Sequence, residues 1–69
     1  MNKVLRSFDV IKDGNVISHY ELFKRDFTRE IRTATETIYT GAYADQEFIK
    51  CLETNKQIAS MINAVVIEG

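Results

Sequence analysis

The chain has no proline, three glycines, one cysteine and one histidine, and these shortages exclude several functions before any pattern is read. Without proline it lacks the usual linker punctuation, and it contains no low-complexity segment or internal repeat. Cys51 alone can form no disulfide within one chain, and Cys51 with His19 cannot complete a chelate, so neither a disulfide nor a metal is expected to supplement the core. Gly14, Gly41 and Gly69 never cluster, which excludes a glycine-rich loop that cradles phosphate. No run approaches the ~18 apolar residues needed to span a bilayer. Met1-Asn2-Lys3 leads straight into Val4-Leu5-Arg6-Ser7 without the apolar segment of a signal peptide, so a cytoplasmic location is expected. Charge excess is missing too: nine Lys and Arg against ten Asp and Glu leave −1, whereas a protein built around a nucleic-acid backbone usually shows a basic excess.

What is present describes an ordinary globular chain. The 45% hydrophobic and 28% charged fractions lie well outside the disordered range. At 69 residues the chain is a single domain, 1–69, and domains of this size bury only about 60% of their unfolded surface. Marginal stability follows, and self-association is the expected supplement.

The strongest periodic signal is Asp45 to Val66. On a 3.6-residue period Phe48, Cys51, Leu52, Asn55, Ile58, Ala59, Ile62, Val65 and Val66 fall on one side, which predicts a long amphipathic helix with a wide apolar face. Asn55 is the conspicuous polar residue on that face. It either pairs with a symmetry mate across a helix seam, bonds a backbone carbonyl, or lies at the edge. Asn55, Ile58, Ile62 and Val65 are therefore the candidate oligomer interface. The run Val65-Val66-Ile67 continues the helix or adds a short strand; helix to about Val66 is favoured.

Towards the N-terminus, VLRSFDVI and VISHYELF flank Asp13-Gly14, a strong hairpin signal because a type I′ turn needs positive φ at both central residues. The implied register opposes Ile11 to Val16, Val10 to Ile17, Phe8 to His19 and Arg6 to Glu21. It gathers Val4, Phe8, Val10, Ile17 and Phe23 on one face, with Asp9, Ser7, Ser18 and Tyr20 on the other. Val4, Leu5, Phe8 and Ile11 also satisfy a helical spacing. From Lys24 to Tyr39, Phe27, Ile31, Ala34 and Ile38 form a stripe that predicts a first helix, although Thr33 to Thr40 is rich in β-branched residues that disfavour one. Gly41 then serves as its C-terminal stop and Asp45 as the N-cap of the second helix. The predicted architecture is α+β: an N-terminal β-hairpin followed by an antiparallel two-helix hairpin (ββαα), the last helix long and amphipathic.

Catalytic groups are scarce. His19 and Cys51 form the obvious pair to consider, but a thiol on an apolar helix face behaves as a small hydrophobe, and no paired carboxylates stand out beyond Asp26 and Glu30. No enzymatic activity, cofactor or metal is expected. The sharper feature is Arg25, Arg29 and Arg32, which share the first helix's outer face and could bind phosphate or carboxylate, with Glu36 able to neutralise Arg32. Tyr39 and Tyr43 bracket Gly41, near the hydroxyls of Thr37 and Thr40, where aromatic rings can line a ligand or partner pocket.

These features predict a small non-enzymatic interaction protein, an inhibitor or adaptor of the kind phages and mobile elements encode, acting on another macromolecule through a protein partner and as a homo-oligomer. The alternative is an oligomeric sponge for an anionic small molecule such as a nucleotide; nucleic acid is a weaker candidate. The segment from Arg29-Glu30 through the turn to Met61-Ile62-Asn63-Ala64 resembles the helical hairpin of phage proteins that sequester cyclic nucleotides. That resemblance implies the sponge reading and carries over no binding residue, while the N-terminal hairpin departs from the family.

Overall fold

The computed structural model describes residues 2–69. It contains β1 (Lys3–Lys12), β2 (Asn15–Arg25), β3 (Thr28–Thr33), β4 (Thr37–Thr40), one helix α1 (Ala44–Ile62), and β5 (Val65–Glu68). All strands pair antiparallel in one sheet of order β4-β3-β2-β1-β5. The class is α+β, but the chain folds as ββββαβ rather than as a hairpin with two helices.

The predicted first helix does not exist. Asp26 takes a left-handed φ of 51°, and with Phe27 it turns β2 back into β3, so Lys24 to Tyr39 runs from the end of β2 through β3 into β4. The apparent 3.6-residue stripe was coincidental: Phe27 is wholly exposed at the turn, Ile31 is buried, and Ile38 is 43% exposed. What governs this stretch is the alternation of β3, with Ile31 towards the core and Glu30 and Arg32 on the opposite face, together with the β-branched residues noted above. Without that helix, the resemblance to a helical hairpin falls as well. Gly41 follows a strand, and its N–H bonds the Arg29 carbonyl at 3.1 Å.

The Asp13-Gly14 turn forms as expected, with φ of 52° and 78°. The hairpin register beyond it differs. Ile11 opposes Val16, but a β-bulge then skips Ile17, so Val10 opposes Ser18, Asp9 opposes His19, Phe8 opposes Tyr20, and Arg6 opposes Leu22. A second irregularity lies between Val4 and Arg6. Because side chains alternate with period two, one inserted residue exchanges the faces. Phe8 and Val10 face the helix, whereas Phe23 does not, and Ile17 is left without a partner in the bulge. The expected Arg6–Glu21 pair is absent; Arg6 instead bonds Glu68 at 2.9 Å.

The helix lies across one face of the sheet. Ala44, Phe48, Leu52 and Ala59 meet Phe8, Val10, Leu22 and Ile31, with Leu5, Tyr20, Tyr39, Cys51, Ala64 and Val66 packed around them. Phe8 stacks on Tyr20 with centroids 4.9 Å apart and meets the edge of Phe48 at 5.5 Å. Tyr43, not Asp45, is the N-cap, and it makes no side-chain cap bond. Asp45 lies in the first turn, where its charge suits the positive end of the helix. Asn63 ends the helix in a left-handed conformation, and the Ala64 N–H bonds the Ala59 carbonyl at 2.9 Å. This reversal, earlier than the favoured boundary at Val66, frees Val65–Glu68 to join β1 as β5.

Phe48→Ala should cost about 3–5 kcal/mol, because it deletes a fully buried ring at the junction of the layers. Domains carry only roughly 0.05–0.15 kcal/mol per residue, so urea denaturation should find a large share of the stability gone and the midpoint shifted well down. Asn63→Gly should gain about 0.5–1 kcal/mol by relieving the left-handed cap.

Candidate functional site on the open sheet face

One helix covers one face of the sheet; the other face is open. Alternation along β2 puts His19, Glu21, Phe23 and Arg25 on that open face, and the pairings place Asp9 of β1 and Glu30 and Arg32 of β3 beside them. Their side chains form a polar chain in two hydrogen-bonded segments that meet at the Phe23 ring. His19 Nδ1 lies 2.6 Å from Asp9 Oδ1, and Nε2 lies 3.5 Å from Glu21 Oε2. Glu21 Oε1 accepts from Arg32 Nε at 2.9 Å and Nη2 at 2.5 Å. The Arg32 guanidinium sits 3.7 Å above the centre of the Phe23 ring, with Arg25 5.7 Å from the same ring. Arg25 Nε donates to Glu30 Oε1 at 2.9 Å, and Thr37 Oγ1 donates to Glu30 Oε2 at 3.3 Å.

Glu30 is 5% exposed, the one buried charged residue among those described. A buried carboxylate is tolerated when its oxygens are engaged, and both of these are. The Arg25 hydrogen bond holds the Glu30 carboxyl below its ordinary range, with Thr37 and Arg32 adding to the effect against the opposing cost of burial. The same contact raises Arg25. His19 is raised as well, first by its hydrogen bond to Asp9 and further by Glu21, with burial opposing both. The network carries two guanidiniums, three carboxylates and one imidazole. Its charge is −1 with His19 neutral and zero with it protonated.

The open face changes character towards the other end. Ile11 pairs with Val16 on one side and Val65 on the other, and Ile67 opposes Asp9. Val16, Val65 and Ile67 are each about half exposed. A shallow recess of about 220 Å³ beside His19 is lined by Ile17, Tyr20, Thr33 and Thr35. A larger open depression of about 430 Å³ lies elsewhere, between Phe27 at the β2–β3 turn and the start of α1.

The candidate residues read from the sequence are dispersed. Arg25 and Arg32 share the open face, but Arg29 is on the helix side, where its guanidinium bonds Asp45. The three arginines therefore form no common stripe, and each already has a carboxylate partner: Glu30, Asp45 and Glu21 respectively. Tyr39 packs against the core, while Tyr43 is exposed at the N-cap, so they do not frame one pocket. The Asn55 amide donates to the Cys51 carbonyl at 2.8 Å, the backbone alternative of the three considered. Ile58 is exposed on α1 and Val65 on the opposite face of the sheet, so Asn55, Ile58, Ile62 and Val65 do not make a continuous surface. Cys51 is half-buried, and burial pushes its thiol up, with Glu47 adding to the shift.

Sequence reading missed the polar chain of Asp9, His19, Glu21, Phe23, Glu30 and Thr37. The available signal was His-x-Glu-x-Phe-x-Arg from His19 to Arg25, an alternation that places these four side chains on one face of a strand. Among the described residues no group of three or more His, Cys, Asp or Glu is placed to hold a metal ion, and no helix is long and apolar enough to cross a membrane. No family model, curated protein or solved structure matches the chain.

The Asp9–His19–Glu21 contacts should make stability depend on pH in a defined direction. His19 is raised in the folded state, so its contribution is complete below the unfolded value of about 6.5 and is lost as pH rises through the folded value. Urea titrations at pH 6 and pH 8 should show wild type losing about 0.2–1 kcal/mol relative to His19→Gln, the range for partly exposed pairs. Equal changes in the two proteins would show that the imidazole is not held by these carboxylates.

Proposed function

We propose that the chain is a small non-enzymatic interaction protein, an inhibitor or adaptor of the phage or mobile-element type, that docks a protein partner on the open face of its sheet. The observation that carries this reading is the composition of that face: half-exposed Val16 and Val65, on either side of Ile11, share it with an ordered set of His19, Arg32 and Phe23. Interfaces characteristically combine an apolar centre with aromatic and arginine side chains. Side chains already held in place lose little conformational entropy on binding, which favours a specific contact. With His19 neutral, the polar end carries one more negative charge than positive, so the matching partner presents an apolar patch bordered by a basic group. The unbonded thiol of Cys51 accords with a reducing cytoplasm as the place of action.

The sponge reading has less support. Sequestration of an anion calls for cationic donors available to it, and Arg25, Arg29 and Arg32 are each committed to a carboxylate. The same pairing leaves little electrostatic basis for binding a nucleic-acid backbone.

Immobilised wild-type chain should capture a reproducible partner from bacterial lysate. Val16→Glu and Arg32→Ala should each lower its recovery at least about tenfold, equivalent to roughly 1.4 kcal/mol, while Lys50→Ala on the outer helix face should leave it unchanged. No reproducible partner across several salt concentrations, or capture indifferent to the open-face changes, would count against this function.

A further inference from the structure

The two edges of the sheet are built differently. At the β4 edge the pairing with β3 shifts between Ile31 and Arg32, and such a bulge twists an edge away from further pairing. At the β5 edge the register with β1 is unbroken from Val65 to Glu68, and the Gly69 N–H carries it onward to the Ser7 carbonyl at 2.9 Å. Among the described residues no strand lies on the outer side of β5. Val65-Val66-Ile67 contains no proline, glycine, lysine or bulge, the devices that ordinarily protect an edge. Its one charged residue, Glu68, is drawn over its own chain by Arg6 at 2.9 Å and Lys56 at 3.8 Å.

We propose that a second copy of this chain occupies the β5 edge, the two β5 strands pairing antiparallel about Val66 to join both sheets into one. The exposure pattern selects this register. Val65 and Ile67 lie on the open face at 56% and 52% exposure, whereas Val66 packs towards the helix. Centring on Val66 sets Val65 against Ile67 of the second copy, so each exposed side chain covers the other, and Val66 meets its own mate on the helix side. A register one residue away would set the open face of one copy beside the helix face of the other. In the chosen register Glu68 opposes Ala64 of the second copy, so the two carboxylates are not opposed. The interface is isologous and closes as a dimer with both helices on one side. Ile11, Val65 and Ile67 of both copies then form a continuous apolar strip across the join. This inference concerns an edge and holds whatever the open face binds.

Disulfide trapping in a Cys51→Ser background tests the register. Val66→Cys should cross-link to itself under mild oxidation, because directly opposed residues of antiparallel strands are about 4.5–5.5 Å apart, within disulfide range. Ile67→Cys alone should not, because its symmetry mate lies roughly 8 Å away, whereas Val65→Cys combined with Ile67→Cys should. Sedimentation at micromolar concentration should give wild type twice the mass of Ile67→Lys, with the same circular dichroism for both. A wild-type monomer would overturn the proposal. So would a dimer that survives Ile67→Lys but is dissociated by Ile58→Lys, or failure of Val66→Cys to cross-link. Should Ile67→Lys fail to fold, the cross-linking pattern decides alone.

Discussion

Phe48 reaches from the first half of α1 onto Phe8 near the centre of the sheet, and the molecule is arranged around this contact. Tyr20 stacks on the far side of the same cluster, and Leu22, Ile31, Leu52 and Ala59 close around it. A single helix can satisfy one apolar sheet face and no more. The other face of this five-stranded sheet therefore has to be made compatible with water or with a partner by its own side chains. Its division into an ion-paired half and an apolar half follows from that requirement.

The ion-paired half contributes organisation more than stability. Partly exposed charge pairs contribute little to folding energy, since solvent screens them and ordering two long side chains costs entropy. What the pairs do is orient one another. Arg32 is held by Glu21 above Phe23, and Arg25 is held by Glu30, whose other oxygen is fixed by Thr37. Glu30 makes this arrangement more demanding than a surface lattice, because a buried carboxylate that loses its donor incurs its desolvation cost without compensation. The guanidiniums are consequently turned to internal partners.

Local signals in the sequence were legible where one physical requirement dominated. Asp13-Gly14 offered the positive φ that a tight hairpin turn needs, and Phe48, Leu52 and Ala59 kept a helical period that nothing contradicted. Between Lys24 and Tyr39 two periods overlapped. Phe27, Ile31, Ala34 and Ile38 matched a helix, but the Asp26-Phe27 turn divided the segment, and tertiary pairing of its β-branched residues prevailed. The first error carried others with it, because a helix over Arg25, Arg29 and Arg32 places them together whereas a strand and a turn separate them. The tail failed for a different reason. Three apolar residues fit either element, and the left-handed Asn63 that separates them from α1 has no unambiguous signature in an asparagine followed by alanine.

The bulge at Ile17 explains why the polar chain escaped a reading that had placed both strands correctly. In an unbulged hairpin His19 opposes Phe8, so the chain's single imidazole would lie among the residues facing α1. One extra residue on β2 moves it to Asp9 and brings Tyr20 over Phe8 instead. The exchange serves both layers: the aromatic ring enters the core, and the titratable ring reaches two carboxylates at the boundary between the polar and apolar halves of the open face. No turn rule fixes such a bulge, since the two-residue loop is satisfied with or without it. It is selected by the fit of Tyr20 against Phe8 and of His19 against Asp9, contacts that exist only once the strands have met.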